Sequence, residues 1–188
     1  IADAIERIDS AVALYDIRLA GEYKSRTLFD DPDSLRLLQR FGELQLPVTI
    51  HLEYGTDYGG STYPWRDWWY GGTIGALDRA LTACPDTILV AHGPGWWSHI
   101  SGDHLYDKEM YPKAPIKPGG ANPALLEKHA NLYADLSATS ALNAVTRDEE
   151  FGRQYIVDHA DKLVFARDIY DTALMDHLKT LELPADVS

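Results

Sequence analysis

The 188-residue sequence predicts an α/β domain on a parallel sheet with helical crossovers, either doubly wound or closed as a (β/α) barrel. Two observations carry this. Strand-like and helix-like segments alternate five times along the chain. The runs TILVA (87–91) and LVFA (163–166) are continuously apolar, as strands covered on both faces are. No short internal repeat or low-complexity segment interrupts the order.

Residues 2–10 read as the end of a helix, and AVALYDIRLA (11–20) as a strand around Val12 to Leu19. Asp33 or Ser34 then caps SLRLLQRFGEL, where Leu35, Leu38 and Phe41, with Leu37 and Leu44, form a helical apolar face. LPVTIH (46–51) is a short strand, with Pro47 at a first-strand position. A loop rich in glycine and aromatics leads to a helix over TIGALDRALTAC (73–84), then to the strand TILVAH (87–92). A long loop runs to Gly120. Asn122-Pro123 opens the next helix with a cap and a proline in its first turn. NLYADLS (131–137) is a strand, and Thr146 with Glu149 makes a capping-box pattern ahead of EEFGRQYIVDHA. KLVFARD (162–168) is the fifth strand, and Asp171 or Thr172 opens the last helix.

Composition narrows the functional classes. The formal net charge is −12, from 29 acidic and 17 basic residues, which disfavours nucleic acid or an anionic membrane as partner. The single cysteine, Cys84, excludes an internal disulfide and fits core packing better than nucleophilic chemistry. No apolar run approaches the ~18 residues of a membrane span, and no signal-peptide pattern is present, so a cytoplasmic location is expected. The opening IADAIERIDS begins in mid-helix without Met, which suggests preceding sequence in the natural protein. An assembly of identical copies is compatible with these features.

Three strands end on a side chain that can ligate a metal or move a proton: His51, His92 and Asp168. In a parallel barrel all C-terminal strand ends share one rim, so residues distant in sequence meet there. Two imidazoles and a carboxylate suit a divalent ion, Zn²⁺ first and Mn²⁺ as an alternative. An ion with an open position lowers the pKa of its water to about 7.

The segments LPVTIH, PDTILVAHGPG, NLYADLSA and ADKLVFARDIY, in that order, resemble the second half of a metal-dependent hydrolase of the amidohydrolase superfamily. The similar branch is the amidohydrolase 2 group, which also holds aminocarboxymuconate-semialdehyde decarboxylase and related non-oxidative decarboxylases. The resemblance covers roughly residues 11–182. It implies a TIM (β/α)8 barrel, a single domain of which this chain carries about strands four to eight. The family's opening strand carries His-x-His; that pattern is absent here and no histidine precedes His51. By the resemblance, His51 is a metal ligand, His92 contacts the catalytic water or the substrate, and Asp168 both binds the metal and accepts the water's proton. Where most relatives have Gly-Thr before that Asp, this chain has Ala166-Arg167. Arg167 either anchors an anionic group or points away from the site.

The loops supply candidate substrate contacts. Residues 53–72 include Tyr54, Tyr58, Tyr63, Trp65, Trp68, Trp69 and Tyr70, flat amphipathic surfaces that suit an aromatic or cyclic substrate or, equally, self-packing. Trp96 and Trp97 follow His92 directly, and Arg18 and Glu22, near the end of DIRLAGE, are candidates to reach the site, where the resemblance implies a glutamate or a carboxylated lysine in some members. Tyr54, Trp65, Trp96, Trp97 and Arg18 are therefore the expected substrate-binding set. His99 and His104 are optional further ligands, Asp135 or Ser137 either contacts substrate or, the better fit, makes a structural hydrogen bond, and the helical His129, His159 and His177 should face outward. The expected activity is hydrolysis of a small cyclic, aromatic, ester-like or amide-like molecule by a metal-activated water. Its rivals are non-oxidative decarboxylation on the same scaffold and a non-catalytic ligand-binding barrel.

Overall fold

The computed structural model of the chain describes residues 1–55, 68–107, 109–185 and 187. Chain order runs α1 (Ala2–Leu14), β1 (Ala20–Tyr23), α2 (Pro32–Glu43), β2 (Val48–His51), β3 (Glu53–Gly55), β4 (Trp68–Tyr70) and α3 (Ile74–Ala83). It continues through β5 (Leu89–His92), α4 (Pro94–Ser98), α5 (Ala121–Lys128), β6 (Leu132–Leu136), α6 (Ala138–Thr146), α7 (Glu149–Asp158), β7 (Leu163–Phe165) and α8 (Ala173–Thr180). Strands β1, β2, β5, β6 and β7 form one parallel sheet in that spatial order, so each neighbour in space is the next strand joined by a helical crossover. That sequential order is the one a (β/α) barrel requires and a doubly wound sheet lacks. β3 and β4 form a separate antiparallel ribbon beyond β2.

Alternation along the strands sorts the side chains. Val48, Ile50, Leu89, Ala91, Leu132, Ala134 and Leu136 are buried against the helices. They join Leu37, Leu38 and Phe41 of α2, Leu77 and Leu81 of α3, and Val145 of α6 in one core. The opposite parity carries Thr49 and His51, Val90 and His92, Tyr133 and Asp135, and it is on this face that the polar side chains accumulate.

Several boundaries differ from the sequence-based expectation, among them α5, which is capped at Gly120 rather than Asn122, and β7, which stops at Phe165. The first strand is not at Val12–Leu19: α1 continues to Leu14 and β1 begins at Ala20. The reason lies in α1 itself, where Ile5, Ile8 and Val12 at helical spacing pack against the core and extend the helical face through AVAL. Asp31, not Asp33 or Ser34, caps α2, accepting the Asp33 N–H and placing Pro32 in the first turn. An unanticipated helix, α6, occupies 138–146, and the next helix is capped by Asp148 rather than Thr146, through the Phe151 N–H. His129 and His159 are buried rather than outward-facing; the His129 Nε2–H donates to the Asp78 carboxylate across 2.6 Å. The long connection after β5 is partly ordered by α4 and a 3₁₀ turn at Leu105–Asp107.

One buried ion pair anchors that connection. Arg147 at the end of α6 donates to Asp103 across 2.7 Å, and both side chains are almost fully buried. Burial alone raises the Asp103 pKa, but the Leu105 N–H, Ser101 and Arg147 outweigh it, and the net displacement is downward. Its stabilising contribution is therefore full above the unfolded carboxylate value of about 3.9 and is lost as pH falls through the lower folded value.

Asp103→Asn should destabilise the protein by about 3–5 kcal/mol, because it strands a buried guanidinium, and should flatten the acid limb of stability against pH in urea titrations. Equal acid limbs in parent and variant would contradict this. Gly152 packs so close that an added Cβ would lie 2.0 Å from the Val145 carbonyl oxygen. Gly152→Ala should consequently cost about 1–3 kcal/mol in the same titrations.

Candidate metal centre

The register of β2 against β5 pairs His51 with His92 as direct neighbours on adjacent strands. Both are last residues of their strands, so both imidazoles stand on the C-terminal rim, with ring centroids 5.2 Å apart. β1 brings a third group: Glu22 reaches between the rings. One oxygen of Glu22 lies in short contact with His51 Nδ1 and 3.6 Å from His92 Nε2. Ligand atoms of Glu22, His51 and His92 all fall within 4.8 Å of one another, a spacing that fits a single divalent ion.

Each ring is held from behind by a second carboxylate. Glu53, 3% exposed, meets His51 Nε2 across 2.8 Å. Asp135 on β6 receives His92 Nδ1 with both oxygens at 3.0 Å, and Ser137 Oγ stands 3.1 Å from the same nitrogen. Burial by itself lowers the His92 pKa; the hydrogen bond and charge of Asp135, with the charges of Glu22 and Asp168, outweigh it and raise it overall. His51 also meets the edge of the Tyr70 ring, with centroids 5.8 Å apart. A Cβ at Gly93, whose φ is +98°, would stand 3.1 Å from His51 Nε2, so glycine there leaves the ring its space.

Beside the trio lies an open cleft of about 210 Å³, walled by Glu22, Thr49, His92, Asp135, Arg167 and Asp168. Asp168 sits three residues beyond the end of β7, exposed on the cleft wall and near enough for its charge to act on His92. It is not part of the tight trio. Arg167 is exposed and donates to the Asp171 carbonyl at 2.8 Å. Tyr111, from the connection after β5, feels the charges of Glu53 and Asp168; burial first, then those two carboxylates, raises its phenol pKa. A larger cavity, about 710 Å³, lies at the opposite strand ends between the C-terminal ends of α2 and α3, remote from this chemistry.

The expected site residues thus divide. His51, His92 and Asp168 share one rim. Trp96 and Trp97 are 0% and 1% exposed within the core, with Trp97 edge-on to Tyr155 of α7. Arg18 points into solvent and pairs with Asp16 at 2.8 Å. Tyr54 pairs by backbone with Trp69 in the β3–β4 ribbon, and Trp65 lies outside the described residues. Glu22, expected with Arg18 as a residue within reach of the site, enters the trio, whereas Glu53 carried no signal beyond standing two residues after His51. His99 is buried, stacks on Tyr106 with centroids 3.9 Å apart, and is not a member of the trio.

No protein-family model matches the sequence, and no curated protein matches it. Solved structures do. The 5-carboxyvanillate decarboxylase of Sphingomonas paucimobilis superposes with a TM-score of 0.53 at 16% identity, over 99% of this chain and 58% of that one. A Pseudomonas putida protein assigned as a 2-pyrone-4,6-dicarboxylic acid hydrolase gives 0.51 at 13% identity, over 90% of this chain and 56% of that one. The chain therefore spans somewhat more than half the length of the structures it resembles. At such identities the likeness establishes the fold: five parallel strands with their crossovers, part of a TIM barrel.

Proposed function

We propose that this chain forms the metal-holding half of a barrel enzyme that cleaves a bond in a small molecule. The observation that carries the reading is the convergence of Glu22, His51 and His92, each imidazole offering one nitrogen to a common centre while a buried carboxylate occupies the other. Two imidazole nitrogens and a carboxylate oxygen fit Zn²⁺, with Mn²⁺ the alternative, and the adjoining cleft leaves room for further ligands. When bound, such an ion polarises a substrate oxygen and acidifies a water.

The protein's own groups then have distinct tasks. Glu22 contributes the negative charge that offsets a dication between two neutral rings. Asp168, on the cleft wall, accepts a proton from a water lying in the cleft and returns it to the leaving group. Tyr70 closes one side of His51, limiting the ring's motion. This gives hydrolysis of a cyclic, aromatic or ester-like substrate as the first reading. One observation favours a second. Arg167 stands on the cleft wall, a fixed fork able to pair a carboxylate, which suits release of CO₂ from an aromatic acid. The non-catalytic binding module predicts none of the metal-linked chemistry.

The full-length protein loaded with Zn²⁺ or Mn²⁺ should turn over either lactones or hydroxybenzoate-type acids, and chelation should abolish the turnover. CO₂ release from the acids would select the second reading, and ring opening of lactones the first. Asp168→Asn should lower kcat by about 10²–10⁴-fold with the metal still bound. A protein that binds no divalent ion and is unaltered by His51→Ala would leave the binding module instead.

A further inference from the structure

We propose that Asp135, braced by Ser137, is a positioning residue that decides which nitrogen His92 presents to the centre. The inference rests on the metal-site reading above and specifies how that site is set. An imidazole on its Cβ–Cγ bond has a broad, roughly two-fold torsion, so burial alone does not choose between its two edges. Here three oxygens choose. Asp135 Oδ1 and Oδ2 lie 3.0 Å from His92 Nδ1, and Ser137 Oγ lies 3.1 Å from it. The Ser137 hydroxyl donates to Asp135 Oδ2 across 3.0 Å, which pins the carboxylate and commits it to accepting from His92. The proton therefore belongs on Nδ1, and the lone pair of Nε2 faces Glu22.

Strand periodicity makes the device possible. Residues 135 and 137 alternate to the same side of the β6 strand line, and the pairing of Ala91 with Ala134 sets Asp135 beside His92. Asp135, Ser137 and His92 are 7%, 1% and 6% exposed. A buried carboxylate whose hydrogen bonds, among the described residues, go to His92 and Ser137 is a costly way merely to fill space. Glu53 provides the mirror arrangement at His51, occupying Nε2 and leaving Nδ1 for Glu22. The two rings thus present unlike nitrogens to one point.

The test uses the full-length protein with ¹⁵N-histidine labelling and Co²⁺ as the probe. Metal-free, at a pH where His92 is neutral, its Nδ1 should give the protonated-type ¹⁵N signal and Nε2 the lone-pair type. Asp135→Ala should mix or reverse these signals and weaken Co²⁺ binding about 10–100-fold, with a changed visible spectrum of the bound ion. Asp135→Asn, whose carbonyl can accept the same N–H, should restore the tautomer and most of the affinity. A parent protein with the proton on Nε2 overturns the proposal even if the alanine variant does not fold. So does a folded Asp135→Ala variant with the parent's tautomer and an affinity within twofold. If the parent binds no Co²⁺, the metal reading fails, and the ¹⁵N signals alone decide the positioning.

Discussion

The structure of the rim depends on the register between β2 and β5. Because Val48 faces Leu89 and the pairing runs without a slip, His51 and His92 end side by side. A one-residue slip would turn one imidazole into the helix-packed core and leave the other alone. The register is secured by the apolar alternates Val48, Ile50, Leu89 and Ala91, all at 0% exposure, which cannot be moved to the open face without losing their burial. At roughly 25 cal/mol per Å² of buried apolar surface, that specification is strong. Core packing on one side of the sheet thereby fixes the chemistry on the other.

The same alternation explains why charge accumulates at the rim. Thr49, His51, His92 and Asp135 share the face turned away from the helices, and Glu22 and Glu53 approach it from the flanking segments. Four carboxylates (Glu22, Glu53, Asp135 and Asp168) surround two imidazoles. Such a cluster is repulsive unless positive charge enters it, as protons on the rings or as a cation between them. The raised pKa of His92 is the proton form of that demand, and a divalent ion at the trio is the other. His92 therefore reports the electrostatic need of the whole rim.

Much of this was legible in the sequence, for reasons particular residues make plain. The continuous runs TILVA and LVFA announced parallel strands, buried in β5 but not in β7, where Val164 and Phe165 are exposed, and the strand-end histidines marked the rim. Glu22 was harder to place, because the strand that carries it was read eight residues early: AVAL is as good a helix as a strand, and the contacts of Ile5, Ile8 and Val12 with the core decide it. Glu53 gave no pattern, since a carboxylate two residues past a strand end is ordinarily solvated. The adjacency of Trp96 and Trp97 to His92 suggested substrate contact, yet the turn at Gly93 carries both indoles back into the core. Sequence proximity to a site says little about direction once a helix intervenes.

The most direct measurement is an anomalous difference map from crystals of the full-length protein grown with Zn²⁺ or Mn²⁺. The account predicts a strong peak bounded by Glu22, His51 Nδ1 and His92 Nε2. A map without density there, or with the ion elsewhere and both rings bonded only to their carboxylates, would contradict it.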